Sequence, residues 1–396
     1  MCPENEFTVY FYITISQPKS VKEWQRVLVL VSKGTLLKRD SHTMRAHRLN
    51  GAYGGSDCDV RRRCNNIEKA FYPCLFYTEH TTRLRIPAMS SKTHLYTELA
   101  SGLEFPEGPI AMPDGSVLVV EIRRGTLSRV YPGGKVEIVA NLGGGPNGAA
   151  IGPDGRCYIC NNGGSAWVAR NGGLSPGHHS ADHNSGGRIE AVDLNTGEIE
   201  VLYRECNGIP LKAPNDLVFD RAGGFYFTDH GRSFERTLDR GGIYYAAADG
   251  SSIQEARFPS MSPNGVGLSP EEDRLFVAET QTSRLMCFPI VAPGQLADIP
   301  DAQACIAGFS NYQLFDSLAV DAEGNICVAT LINGGITIIS PDGDSAVHVD
   351  TGDRLTTNIC FGGDDLRTAF ITCSQSGRLI SCQWDVPGLP LNFLNR

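Results

Sequence analysis

The sequence predicts an all-β chain: a six-bladed β-propeller with a central metal site, preceded by a poorly structured N-terminal extension. Three observations predict it. A polar residue returns six times between residues 107 and 358, at steps of about 50 residues. Each copy opens an apolar, β-branched or aromatic stretch that turns through Asp/Gly into a second such stretch. No 11-residue window sustains a helical period.

The copies are read in chain order. Glu107-Gly108 leads to Asp114-Gly115, Asn147-Gly148 to Asp154-Gly155, and Asn215-Asp216 to Gly223-Gly224. Asn264-Gly265 leads to Glu272-Asp273, Asp316-Ser317 to Gly324-Asn325, and Asn358 to Gly363-Asp364-Asp365. In the first five the turn residue lies eight positions after the polar one, and the sixth reads as looser. Stretches such as Leu217-Val218-Phe219 and Phe225-Tyr226-Phe227 are the two arms of a hairpin. The long gap from Asn147 to Asn215 holds Gly172-Gly173, Pro176-Gly177-His178-His179 and Gly186-Gly187, and reads as a surface loop inserted into a regular blade.

Radial repetition puts equivalent positions on a ring. If the polar residue opens the innermost strand, Glu107, Asn147, Asn215, Asn264, Asp316 and Asn358 converge at one mouth of the channel. Two carboxylates and four amides offer only oxygen, the donor set of a hard cation such as Ca²⁺. Zn²⁺, Mg²⁺ and Mn²⁺ remain open, while the lack of sulfur and imidazole disfavours copper. The bland alternative is that Asn147-Gly148 and Asn264-Gly265 are plain hairpin turns, since Asn-Gly is the strongest hairpin dipeptide. Glu107 and Asp316 at the same register, with no demanding turn sequence after them, favour convergence on a ligand.

Net charge is −9 and unevenly spread. Residues 1–88 hold 14 Lys/Arg and 8 Asp/Glu, which leaves 21 and 36 from totals of 35 and 44 for the remainder. An acidic body argues against nucleic acid as a partner. No apolar run approaches the ~20 residues of a membrane helix. Thirteen cysteines form no paired CxxC set. Cys157 and Cys160 lie three apart on an expected strand, so their side chains diverge, and Cys327, Cys360 and Cys373 read as buried free thiols. A reducing, cytoplasmic compartment fits this usage. The sequence is silent on oligomeric state.

Residues 1–88 lack the repeat and carry Arg61, Arg62, Arg63, Cys2, Cys58, Cys64 and Cys74. Acids at the start argue against a secretory signal. The segment is expected to be an over-extended start, with Met89 opening the natural chain, or a small disordered accessory piece. Residues 89–396 are expected to form the propeller domain.

Phe105-Pro106-Glu107-Gly108-Pro109, Pro214-Asn215-Asp216-Leu217, Pro263-Asn264-Gly265-Val266 and Asp316 to Asn325 resemble the senescence marker protein/gluconolactonase family, as does Thr357 to Gly363 followed by Asp365-Leu366-Arg367-Thr368. The resemblance covers about residues 95–390. It implies a six-bladed propeller with a divalent ion, and an aldonolactone hydrolase, a regucalcin-like protein or a relative of diisopropyl fluorophosphatase. By that resemblance Glu107, Asn264 and Asp316 match metal ligands, and Asn215 matches an asparagine that binds metal or substrate. Asp316 also matches the carboxylate assigned as general base. Ala213 departs from the pattern, because some sugar-lactone members carry arginine there.

The expected function is metal-dependent opening of a small-molecule sugar lactone, in sugar-acid catabolism. Asp316 is the catalytic candidate, Glu107, Asn215, Asn264 and Asp316 the metal ligands, and Asn215, Asn147 and Asn162 the substrate contacts. No Gly-x-Ser-x-Gly elbow points to a serine nucleophile. A phosphotriesterase-like hydrolase and a non-catalytic calcium-binding propeller are the alternatives. Asn161, His230, Arg123, Arg124 and the insertion histidines His178, His179 and His183 are weaker candidates, each with a plain turn or surface reading beside it.

Overall fold

Each repeat folds into an antiparallel sheet whose first strand opens at the repeated polar residue. A computed structural model describes residues 29–32, 35–40, 43–48, 88–170, 173–177 and 184–396. The chain divides into two compact units, residues 1–81 and 82–396. In the first, the described residues are three antiparallel strands, Val29–Ser32, Thr35–Asp40 and Thr43–Arg48. Arg61, Arg62, Arg63, Cys2, Cys58, Cys64 and Cys74 lie outside the described residues.

The second unit is a six-bladed propeller. The innermost strands, in blade order, are Pro106–Ala111, Pro146–Ile151, Pro214–Phe219, Pro263–Leu268, Leu314–Val320 and Thr356–Gly362. Blade six is completed from the other end of the unit: Thr97–Ala100 pairs with Arg378–Gln383 as its outermost strand. That pairing closes the circle and removes an exposed edge. Ala88–Lys92 adds a parallel fifth strand to the rim of blade five. The only α-helix among the described residues is Asp301–Ala304, and no described helix is long and apolar enough to cross a membrane.

One turn geometry serves all six blades. The residue eight after the polar one donates its N–H to the carbonyl five after it: Gly115 to Met112, Gly155 to Gly152, Gly223 to Asp220, Glu272 to Ser269, Gly324 to Asp321 and Leu366 to Gly363. All six donors have positive φ, including Glu272 at 58° and Leu366 at 55°. The sixth copy is therefore not looser. Its turn falls at the same offset, with leucine holding a left-handed position that glycine fills in four of the other five blades.

Strands in a blade are covered on both faces by neighbouring blades, so they are apolar without alternation. Phe225, Tyr226 and Phe227 are all fully buried. Phe225 and Phe227 pack with Tyr158 and Phe219 toward blade two, and Tyr226 packs with Leu275, Met286 and Phe288 toward blade four. The same alternation separates Cys157, packed with Ile110 and Leu118, from Cys160, packed with Phe225 and Phe227. All nine cysteines among the described residues are free, and burial pushes the Cys157 thiol up to about 12.

Among its described residues the insertion of blade two is not all loop. It carries a hairpin, Trp167–Arg170 with Gly173–Pro176, because a β-prone Trp-Val-Ala-Arg run precedes a glycine pair. The Trp167 ring meets Phe105 edge-on with centroids 5.1 Å apart. Gly173 lies so close to blade six that an added Cβ would sit 2.7 Å from the Gln375 carbonyl. His178, His179 and His183 lie outside the described residues.

Below the ring of polar residues the innermost strands enclose a cavity of about 110 Å³, closed at the far end by the C-terminal segment. Leu389 N–H donates to the Val320 carbonyl at 3.0 Å, and the Asn392 amide donates to the Phe219 carbonyl at 3.0 Å and to Glu272 at 2.9 Å. Phe393 packs edge-on against Phe219, and Leu394 packs against the core around Ile110 and Ile151.

Candidate metal and active site

Glu107, Asn147, Asn215, Asn264, Asp316 and Asn358 occupy equivalent places, each within the first three residues of an innermost strand. Each strand also carries an irregularity there. In blade two Pro146 and Ala149 pair with Asn161 and Ile159, so three steps on one strand oppose two on the other. Blades three, four and five repeat this at Pro214/Leu217, Pro263/Val266 and Phe315/Leu318. Blades one and six shift at Glu107/Ile110 and Thr356/Asn358. A β-bulge inserts one residue, bends the strand and re-aims a side chain. Six bulges at one level explain how residues from six sheets come to be buried around one axis, Glu107 at 1% exposure and Asp316 at 9%.

The glycines after the ring residues have a packing role. Asn147-Gly148 and Asn264-Gly265 lie inside strands, so the hairpin-turn reading of these dipeptides fails. A Cβ on Gly148 would lie 2.6 Å from both the Asn215 carbonyl oxygen and the Asp216 Cα, and one on Gly265 would lie 2.6 Å from the Leu318 nitrogen. Neighbouring innermost strands meet backbone to backbone there, which only glycine permits. Gly148→Ala is expected to lower stability by about 1–3 kcal/mol. An unchanged midpoint in chemical denaturation would remove this account of Gly148.

Among the described residues no basic side chain is among the groups that act on the carboxylates at the centre. Asn358 donates its amide to Glu107 Oε2 at 2.7 Å, across 251 residues of chain. Burial raises the Glu107 carboxyl well above the usual range, and the nearby charges of Asp316 and Asp216 add to the rise. Burial likewise raises Asp316, opposed by a hydrogen bond from Asn264 and reinforced by Asp216. Asp216, which the sequence reading passed over, is a third buried carboxylate. Burial pushes it up to about 7 against hydrogen bonds from the Leu217 N–H and Ser317. It stands in the position after the ring residue that Gly108, Gly148 and Gly265 hold in other blades, so the repeat by itself gives it no ligand role.

Three acceptors at this level have no hydrogen-bond partner: Glu107 Oε1, Asn147 Oδ1 and Asn215 Oδ1. A buried unpaired oxygen is costly and rare. Unsatisfied oxygens beside close carboxylates are the environment a hard divalent cation satisfies, and the donor set present fits one. Among the described residues no three His, Cys, Asp or Glu side chains form a metal cluster. A cation at this centre would therefore draw on the amide oxygens.

The substrate candidate Asn162 and the remaining candidates have the following local surroundings. Asn161 is fully buried and satisfied: its oxygen accepts from the Gly145 and Gly163 amides, and its nitrogen donates to the Gly143 carbonyl and Glu190. Asn162 is half-buried, with its side-chain oxygen accepting the Gly164 N–H in a local turn. His230 is half-buried rather than exposed, and burial lowers its pKa. Arg123 pairs with Glu104, and Arg124 with Glu121 and Glu104. Ala213 is buried, its N–H bonded to Asp229 Oδ1 at 2.7 Å.

Comparison with known proteins places the chain. The SMP-30/Gluconolactonase/LRE-like region matches residues 105–375. A gluconolactonase of Zymomonas mobilis is 25% identical over 311 residues, covering 70% of this chain and 78% of that protein. Lactonase drp35 of Staphylococcus saprophyticus is 29% identical over 231 residues, covering 58% of this chain and 64% of that protein, just under two thirds of its length. Among solved structures, a calcium-binding regucalcin of Agrobacterium tumefaciens superposes with TM-score 0.60 at 19% identity, covering 76% of this chain and 97% of that one. A gluconolactonase of Xanthomonas campestris gives 0.58 at 20% identity, covering 78% and 94%. The fold is shared with both. On the span of residues matched, the chain belongs to the SMP-30/gluconolactonase/LRE-like family.

Proposed function

We propose that this protein is a metal-dependent hydrolase that opens a sugar lactone to its sugar acid, as a step in sugar-acid catabolism. The observation that carries the proposal is the set of unpartnered buried oxygens on Glu107, Asn147 and Asn215, gathered with Asp316 at the channel mouth. Relatives named gluconolactonase and lactonase support the same reaction class. Glu107, Asn215, Asn264 and Asp316 would hold the cation, Ca²⁺ first among candidates because every donor is oxygen. When bound, such an ion supplies positive charge that polarises an ester carbonyl and lowers the pKa of water.

The chain's own residues do the rest. Asp316 accepts a proton from the attacking water as its oxygen bonds to the carbonyl carbon. The ring C–O bond then breaks, and the proton passes to the departing ring oxygen, giving a hydroxy acid. Asn215 and Asn147 orient the substrate oxygens, with Asn162 at the border of the mouth. Burial at the ring keeps these groups away from bulk water.

A panel of aldonolactones and one phosphotriester, assayed with added Ca²⁺ and again after chelation, tests this. Lactone hydrolysis that vanishes with chelator and returns with metal is expected. No turnover of any lactone in the presence of metal would leave a binding protein, and preference for the phosphotriester would move the reaction to phosphorus.

A further inference from the structure

Buried polar atoms without partners are concentrated on the ring side of the propeller. Beyond the three acceptors at the centre, they include Ser262 Oγ, Gln313 Nε2, and both Nε and one Nη of Arg232. The central set accepts and the peripheral set donates. Among the described residues Arg232 is the charged member of these ring-side donors; Arg129, whose Nε is also unpaired, lies at the turn end of blade one and pairs with Asp114.

Arg232 lies on the connection between Gly224–Asp229 and Gly241–Ala247 of blade three. That connection is at the ring side, because Asp229 pairs with Pro214, next to Asn215, and with Gly242. The neighbouring His230 N–H donates to the Ala213 carbonyl at 2.9 Å, which holds the connection against the strand that carries Asn215. Asp229 cannot serve as a full partner, since its carboxylate already accepts the Lys212, Ala213 and Gly231 amides at 2.6, 2.7 and 3.0 Å. Asp239 meets Arg232 through its backbone, its N–H donating to the Arg232 carbonyl at 2.9 Å. Both carboxylates attract the guanidinium, but neither takes a hydrogen bond from its buried nitrogens. Burial in turn holds the guanidinium below its usual pKa. By contrast Arg123, Arg124 and Arg188 are all paired, with Glu104, Glu121 and Glu190.

A half-desolvated guanidinium with two buried, unpaired nitrogens is costly by itself and is the best protein group for a planar or tetrahedral oxyanion. We propose that Arg232 anchors an anionic substituent of the substrate (a carboxylate, phosphate or sulfonate carried beside the lactone ring), so that the enzyme prefers a charged lactone to a neutral one. The inference rests on the lactone-hydrolase reading. It adds that the substrate is bracketed, its carbonyl toward the acceptor-rich centre and its anionic end toward blade three.

The test compares wild type with Arg232→Met and Arg232→Lys on matched neutral and anionic lactones, in metal-loaded protein. Wild type is expected to favour the anionic lactone in kcat/KM by about 10-fold or more. Arg232→Met should lose that preference through KM while leaving the neutral lactone unchanged, and Arg232→Lys should recover part of it. Equal effects on both lactones, or no wild-type preference, would overturn the proposal. A second measurement does not need turnover. Inorganic phosphate, sulfate and acetate are titrated against the melting temperature of wild type and Arg232→Met. Stabilisation of wild type alone supports the anion site even if no lactone is hydrolysed. Equal or absent shifts sink it, whatever the lactone panel gives.

Discussion

Asp316→Asn is expected to lower kcat by about 10²–10⁴-fold, the contribution typical of a positioned general base. The substitution keeps shape and one oxygen donor and removes the negative charge that accepts the proton. Because burial already raises the Asp316 pKa, neutralising it relieves a cost in the metal-free protein, so folding should be preserved. The informative comparison is turnover against cation affinity in the same variant. If affinity falls by less than about 10-fold while kcat falls as stated, Asp316 is a base. Loss of both together would make it a ligand without a separate role in proton transfer, and near-wild-type turnover would remove it from the mechanism.

Glu107→Gln should separate binding from folding in the opposite sense. Glu107 is 1% exposed, accepts from the Asn358 amide and the Gly108 N–H on one oxygen, and leaves the other without a partner. Glutamine can keep an oxygen in place but not the charge that balances a divalent ion. Even outer partners of metal ligands cost 10–100-fold in affinity when lost, so loss of this carboxylate should weaken cation binding by about 100-fold or more. The metal-free variant should melt no lower than wild type, because an uncompensated buried carboxylate is removed. Calorimetric titration with Ca²⁺ and melting curves with and without chelator read both effects. Unchanged Ca²⁺ affinity would dissolve the site as drawn.

Much of this geometry was legible before folding. The spacing of Glu107, Asn147, Asn215, Asn264, Asp316 and Asn358 located six innermost strands, and the eight-residue offset located their turns. Cys157 and Cys160 were assigned to opposite faces from strand alternation alone. Other features were hidden because they belong to pairs of strands. Thr97–Ala100 gives no sign in its sequence that it completes blade six, since its partner Arg378–Gln383 lies at the other end of the unit. Asp216 reads only as the residue after a ring asparagine until folding buries it beside Gly148, Val266 and Ser317. Nothing in the sequence singles out Arg232, because the loss of partners at two of its nitrogens comes only with burial.

What the sequence determined by itself is the periodic part: blade number, strand positions, turn positions and the chemistry of the ring, because these follow from local propensity repeated at a fixed step. What only the tertiary structure decided is how those pieces meet. The bulges exist only where two strands pair, and the need for glycine at Gly148 and Gly265 exists only where two sheets touch. The raised pKa values of Glu107, Asp216 and Asp316 come first from burial, reinforced at Glu107 and Asp316 by carboxylates distant in sequence. Desolvation and close approach are properties of an assembled neighbourhood, and no single segment of chain contains them.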